Sequence, residues 1–447
     1  MNTCTQNYWI VGTLIALSTA MHLLPFLLYG AHPLGYDTGF YRRYLIQPFS
    51  SFPNTPVPGL GKDAVGPRIF LDTVRIFHLP IDIILYGSYI VFFAAESVAL
   101  FFLVKRYGNT HVGIIVALLF ILSPVQYTAY WFMFFKNAFA TAVVLLAFLL
   151  IEKKSRLALP VGMLIAMSHH TSSIIFLLSL AVFLVINREK RKRALSVFLP
   201  TALVFLLFHF GSYQDYLTSQ GAVFMNAREY IILSLPLLFL AAWGLKKAIK
   251  TQARSLASAF ALVSIAFPLF SLPFYERIFI FTDITIIILA ALGIERIIHE
   301  MPASRNVMIK ISSLLGIIIA FTWVSITTYG QIKNLRPLIS GRDLEALQSL
   351  STHIPFDAAI ITSTVLAPWV QGWSTNRVFA PGLLRDTHLI QEWVSFSEGS
   401  REAKIAFLKN FPRPLYIFLA SPEKEAFFAN FQTCAQEEAR YLFKYTC

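Results

Sequence analysis

A carboxylate and two guanidiniums follow the first apolar span within a few residues of one another, in His32-Pro-Leu-Gly-Tyr-Asp37-Thr-Gly-Phe-Tyr-Arg42-Arg43. They stand where a helix has just left a bilayer. A carboxylate takes a proton and guanidiniums hold anions, so the trio suits chemistry on a lipid-borne substrate at a membrane surface. Gly35 and Gly39 flank Asp37 and let the backbone approach a ligand closely. Tyr36, Phe40 and Tyr41 can line that ligand or anchor the chain at the interface. Asp37 also fits a plainer role, the N-cap of a short interfacial helix.

Further charged and polar residues fall at membrane depth, where they are costly and mark candidate sites. Lys136-Asn137 interrupts the aromatic run Tyr130-Trp-Phe-Met-Phe-Phe. Lys136 can snorkel to the interface or hold a phosphate. Ser168-His169-His170-Thr171 joins two short apolar segments and is too polar to face lipid. Adjacent histidines do not share a helix face, which argues against zinc. Glu276-Arg277 heads a later span, as an interfacial ion pair or with Arg277 clamping an anionic headgroup. Glu96 and Asp283 lie inside spans without evident partners, and each is protonated or paired between helices.

The elements that must position these residues are apolar helices. The chain has 447 residues, 56% hydrophobic and 14% charged, with mean hydropathy +0.62. Soluble domains carry about 25% charged residues. Continuous rather than alternating apolar runs predict helices, at approximately 9–28, 83–104, 112–123, 134–151, 157–168, 171–186, 194–211, 230–245, 255–271, 278–294 and 310–328. The third and fifth are short, as tilted or broken helices are. No basic leader or small-residue cleavage site precedes the first span, so it reads as retained.

The net charge of +13 does not signify nucleic acid. Basic clusters lie at Lys105-Arg106, at 153–156, at 188–193, at 246–254, and at Arg296, Arg305 and Lys310. They hold seventeen Lys or Arg against Glu152, Glu189, Glu295 and Glu300, a surplus equal to the charge of the whole chain. This is the positive-inside pattern. It predicts a multi-pass cell-membrane protein with a cytoplasmic N-terminus and the chain after 328 outside. Asp37, Lys136, His169, His170 and Arg277 then share the outer face.

Two domains are expected: a transmembrane domain over 1–328, including an outer loop at 29–82, and an extracytoplasmic α/β domain over 329–447. In the loop, charges spaced three to four apart over Arg68–His78 predict a helix lying in the interface. A second outer segment, 212–229, is long enough to fold over a site. In the tail, helices are expected from Asp343, over Arg401–Lys409 and over Glu423–Phe431, with buried strands at Ala358–Thr362 and from Leu415. Cys434 and Cys447 fall where a disulfide is permitted, although spacing does not establish one. The tail shows no phosphate loop, metal-spaced Cys/His set or nucleophile elbow.

Taken together the chain resembles the polytopic GT-C glycosyltransferases, which use polyprenyl-phosphate sugars as donors. The similarity rests on Gly35-Tyr36-Asp37-Thr38-Gly39 in the first outer loop and a juxtamembrane helix ending in His78-Leu-Pro80. It rests also on Phe135-Lys-Asn137, Ser168-His-His170 and Glu276-Arg277-Ile-Phe-Ile-Phe. The tail adds Trp369-Val-Gln-Gly-Trp373 and Asn376-Arg377-Val-Phe. These short motifs match in layout over nearly the whole chain. The resemblance implies a catalytic carboxylate at Asp37. It places Arg42, Arg43, Lys136, His169, His170, Glu276 and Arg277 on the lipid phosphate or sugar. The implied partners are a polyprenyl-phosphate sugar donor, membrane lipid, and a glycan, lipid or protein acceptor in the cell envelope.

Direct displacement with inversion is the implied reaction. A carboxylate serves the attacking hydroxyl and cations stabilise the departing phosphate, without a nucleotide fold. Trp-Trp-Asp-Tyr-Gly is absent, which argues against an oligosaccharyltransferase. The loop shows a single acid at the key position, so no carboxylate pair supports a divalent metal, and metal dependence stays open. Two other readings compete: an O-antigen-type glycan polymerase or ligase, and a lipid or solute transporter. No repeat-related pair of broken spans favours the transporter.

Overall fold

The computed structural model describes residues 3–30, 34–46, 65–209, 225–252, 255–303, 307–380, 390–419 and 431–447. Helix α1 (Thr3–Tyr29) is followed by two short helices, α2 (Thr38–Ile46) and α3 (Val65–Val74). Then come α4 (Ile81–Tyr107), α5 (Thr110–Ile121), α6 (Pro124–Trp131), α7 (Phe135–Glu152), α8 (Ala158–Ala166), α9 (His170–Ile186) and α10 (Arg191–His209). Four more, α11 (Ala227–Gln252), α12 (Leu256–Leu269), α13 (Tyr275–Ala303) and α14 (Val307–Asn334), complete the apolar part. Each of the eleven apolar segments coincides with a helix. Among the described residues α1, α4, α7, α10, α11, α13 and α14 are long and apolar enough to cross a membrane. The protein is a polytopic membrane protein.

The short third segment has a local cause. Pro124 has no N–H to continue α5, so the helix stops at Ile121 and restarts as α6 with a 46° bend. Ser123 caps the restart, its hydroxyl accepting from Gln126 N at 3.2 Å. The pair α5 and α6 counts as one bent span, while α9 and α12 are shorter apolar helices and α8 has nine residues.

By their contacts the described residues form two compact units. The first holds residues up to 28, 65–67 and 86–335. Its most enclosed helix is α13, and α11 crosses it at Gly244 and Gly293. A Cβ at Gly244 would collide with Leu289 O, and one at Gly293 with Leu240 O, so only glycines permit this crossing. Two of the acids within the basic clusters are paired here. Glu152 Oε2 lies 2.6 Å from Lys190 Nζ and 3.9 Å from Arg106 Nε. Glu295 binds Lys247 and accepts from Asn109 Nδ2 at 2.5 Å.

The second unit holds residues 34–46, 68–85 and the chain from 336. The segment after α1 thus groups with the tail. In the tail, α15 (Gly341–His353) opens with a capping box between Ser340 and Asp343. Strand β1 (Ala359–Thr362), α16 (Ala367–Trp373), β2 (Arg377–Phe379), α17 (Ile390–Glu398), α18 (Arg401–Leu408), β3 (Leu415–Phe418), β4 (Ala435–Ala439) and β5 (Leu442–Tyr445) follow. The sheet order is β2-β1-β3-β5-β4, with β2, β1 and β3 parallel and the β4–β5 hairpin antiparallel.

Both faces of this sheet are covered, and the pleat sorts the side chains. Ile360, Tyr416 and Phe418 pack with Leu347, Leu350 and Trp369 on one face. Ile361, Leu415 and Ile417 pack with Phe396, Leu408 and Phe443 on the other. Cys434 and Cys447 are joined in a disulfide with a Cα separation of 5.0 Å, which decides the pairing that spacing left open. The helix expected over 423–431 and most of the segment 212–229 lie outside the described residues.

Candidate active site

The second unit carries Asp37, Arg42 and Arg43. Asp37 immediately precedes α2, whose first turn is closed by Tyr41 N on Asp37 O at 3.3 Å. Thr38 donates through its hydroxyl to Gly35 O at 2.8 Å and fixes the turn before the helix. Asp37 is half-buried. Burial first, and then the Asp37 charge, push the Tyr36 phenol well above its ordinary value. That phenol donates to Thr364 O at 2.7 Å.

Arg42 and Arg43, expected on the substrate, meet protein carbonyls. Arg42 Nη1 donates to Gly372 O at 2.6 Å, Nε to Asp82 Oδ1 at 2.9 Å, and the guanidinium lies 4.3 Å from the Trp373 ring. Arg43 donates to Ser374 O, and through Nη2 to Thr375 O at 3.0 Å. Burial holds the Arg43 guanidinium below its ordinary value. The segment Arg68–His78 is helical as far as Phe77, as the end of α3 continued by a 3₁₀ turn over Arg75–Phe77. Asp72 bridges Arg68 at 3.4 Å and Arg75 at 3.6 Å, so the spaced charges pair along the helix.

The first unit carries Lys136, His169, His170, Glu276 and Arg277, all at helix starts. Lys136 stands in the first turn of α7, after Met133 breaks the chain with a left-handed φ of 60°. Glu276 and Arg277 stand in the first turn of α13, where the Tyr275 hydroxyl lies 3.3 Å from Glu276 Oε1. His169 is the N-cap of α9, its Nδ1 accepting from Ser172 N at 3.3 Å. That leaves the proton of a neutral ring on Nε2. His170 lies with its ring 4.9 Å from His169, 6.1 Å from Phe274 and 6.2 Å from His209.

His209 was not read from the sequence. It ends α10 and bonds through Nε2 to Ala166 O at 2.9 Å. A lone histidine closing an apolar span offers no pattern by which to find it.

One apolar cluster draws several of these starts together. Phe134 before α7, Tyr230 in α11, and Tyr275 and Phe279 in α13 pack with Val125 and Ala129 of α6. The His170–Phe274 contact brings the start of α9 to the same end. The N-termini of α7, α9, α11 and α13 therefore gather at one end of the unit. Helix N-termini present free N–H groups and positive dipole ends, so with Lys136 and Arg277 they suit an anion. Among the described residues no group of three or more His, Cys, Asp or Glu side chains is arranged to hold a metal ion.

The two acids inside spans differ. Asp283 Oδ2 accepts from Ser123 Oγ at 2.7 Å and from Gln126 Nε2 at 2.9 Å, and Gln126 Nε2 also reaches Ile280 O at 2.9 Å. Its partners lie on α6 and its cap, some 160 residues back. Glu96 Oε1 has no hydrogen-bond partner among the described residues.

No protein-family model matches the sequence, and no curated protein matches it. Solved structures do. The oligosaccharyltransferase of Archaeoglobus fulgidus, tethered to an acceptor peptide, superposes with a TM-score of 0.65 at 10% identity, over 92% of this chain and 69% of that one. ArnT from Cupriavidus metallidurans gives 0.61 at 12% identity over 100% of this chain and 98% of that one, and its form bound to undecaprenyl phosphate gives 0.57. The mycobacterial arabinofuranosyltransferase AftD gives 0.59 at 13% identity, over 91% of this chain and 35% of that one. All are glycosyltransferases of the GT-C superfamily, and this chain has the GT-C fold.

Proposed function

We propose that this protein is a membrane glycosyltransferase that moves a sugar from a polyprenyl-phosphate carrier to a cell-envelope acceptor on the outer face of the cell membrane. The observation that carries the reading is the gathering of four helix N-termini with Lys136 and Arg277 in their first turns, in a fold of the GT-C class. ArnT, matched over 99% of this chain and 98% of its own, has been solved with undecaprenyl phosphate.

In the proposed reaction an acceptor hydroxyl attacks the anomeric carbon from the face opposite the phosphate. Asp37 takes the hydroxyl proton. The carbon–oxygen bond to the phosphate breaks, and the polyprenyl phosphate leaves with the electron pair, giving inversion. Arg277, Lys136 and the helix starts stabilise the departing charge, and His169, His170 and Glu276 line the donor.

Sugar transfer from a labelled polyprenyl-phosphate sugar, measured for wild type and Asp37→Asn beside their thermal stability, tests the reading. Asn keeps the size and capping capacity of Asp but takes no proton at neutral pH. A loss of about 10²–10⁴-fold in rate at unchanged stability is expected. Near-normal transfer by the folded variant removes Asp37 from the mechanism. Mass spectrometry of the co-purified lipid separates the rivals. A diphosphate-linked oligosaccharide favours a polymerase, and movement of an unaltered substrate favours a transporter.

A further inference from the structure

We propose that Arg42 is a positioning residue. With Gly39 and Gly372 it clasps the segment bearing Asp37 to the C-terminal α/β fold, so that this fold sets where the carboxylate stands. The inference rests on the reading of Asp37 as the base. It gives the guanidinium of Arg42 to the protein rather than to the donor.

The helix that Asp37 introduces has nine residues, too few to hold its shape alone. Its place comes from contacts spaced three apart, which fall on one helix face. Tyr36, before the helix, donates to Thr364 O at 2.7 Å. Gly39 lies directly on the backbone of Pro368 and Trp369. A Cβ at Gly372 would sit 2.6 Å from Gly39 Cα, so neither glycine accepts a side chain without moving the two helices apart. Arg42 then closes the face on Gly372 O, and Asp82 and the Trp373 ring hold the other sides of its guanidinium.

The geometry suits the partners. Gly372 O, Ser374 O and Thr375 O stand at or just beyond the C-terminal end of α16, where carbonyls lack helical partners and the dipole is negative. Two adjacent guanidiniums meet that need. Asp37 is one residue from the Tyr36 tether and two from the Gly39 contact, so its backbone is fixed on both sides.

The test compares Arg42→Ala, Arg42→Lys and Gly372→Ala in the full-length protein in detergent or nanodiscs. Amide hydrogen exchange is followed over residues 34–46, together with kcat and donor KM for labelled polyprenyl-phosphate sugar. Faster exchange confined to 34–46 is expected in Arg42→Ala and Gly372→Ala. Misplacing a reacting group by about 1 Å costs up to ~100-fold, so kcat should fall roughly 10- to 100-fold at near-constant donor KM. Arg42→Lys should recover part of both, because an ammonium still reaches Gly372 O or Asp82.

A raised donor KM with unchanged exchange in Arg42→Ala assigns Arg42 to the substrate and overturns the proposal. So does unchanged exchange in both Arg42→Ala and Gly372→Ala. Full activity of Asp37→Asn alongside altered exchange in Arg42→Ala sinks instead the reading of Asp37 as base and leaves the clasp standing. Should Gly372→Ala not fold, Arg42→Ala and Arg42→Lys decide the matter.

Discussion

Cations at helix starts hold an anion only if they point at it, and Arg277 is the sharpest test of that. Its planar fork matches phosphate oxygens, whereas an ammonium is a point charge. Arg277→Ala should weaken donor binding by about 1.5–3 kcal/mol, roughly 10- to 150-fold in Kd. Arg277→Lys should lose less, and Lys136→Ala should lose affinity in the same assay. Binding of a fluorescent polyprenyl phosphate to purified variants measures this, and unchanged affinity relegates both residues to interface anchoring. At this scale some of the candidate site was legible. Gly-Tyr-Asp-Thr-Gly stands out because a charge between glycines at a membrane exit is costly without a use. Histidines in a tight polar turn stand out for the same reason. The partners of Arg42 did not, since Gly372 lies 330 residues away and a backbone carbonyl leaves no mark on sequence. Asp82, at the start of α4, likewise carries no mark in the sequence of being the mate of Arg42.

Helices carry the next level, and the bend between α5 and α6 shows how a buried carboxylate can serve packing. Asp283 ties α13 to α6 and its cap through Ser123 and Gln126. Asp283→Ala leaves two buried donors unmatched, at a cost of about 1–3 kcal/mol each. Asn, which keeps an acceptor oxygen, should cost less. Thermal unfolding in detergent reads the difference, and equal midpoints for wild type and Asp283→Ala would exclude the staple. Spans were legible because lipid demands long apolar runs, and Pro124 marked the break once α5 was seen to stop there. The pairing of Asp283 was not, because helix–helix contacts connect residues that composition cannot relate. In the tail, short continuous apolar runs disclosed β1 and β3 as buried strands, whereas β4, reading Ala-Gln-Glu-Glu-Ala, is an exposed edge strand with little apolar signal.

The whole molecule has a direction in its membrane, and charge asymmetry proposes which. A cysteine at Ser400, exposed at the start of α18, should react with an impermeant maleimide on intact cells. Labelling only after lysis would reverse the orientation and move Asp37 and Arg277 to the cytoplasmic side. The two-unit division was only half legible. The α/β character of the tail shows in its composition, but the grouping of residues 34–46 with it depends on glycine contacts that only coordinates reveal. The pairing of Glu152 with Lys190 and Arg106, and of Glu295 with Lys247, adds a dimension of time. A nascent chain shows these cations bare to the insertion machinery, which reads them one hairpin after another. When the bundle closes, the two glutamates cover them. The folded protein then holds Lys190, Arg106 and Lys247 against carboxylates. The charge pattern that proposes the orientation is thus partly paired within the fold itself.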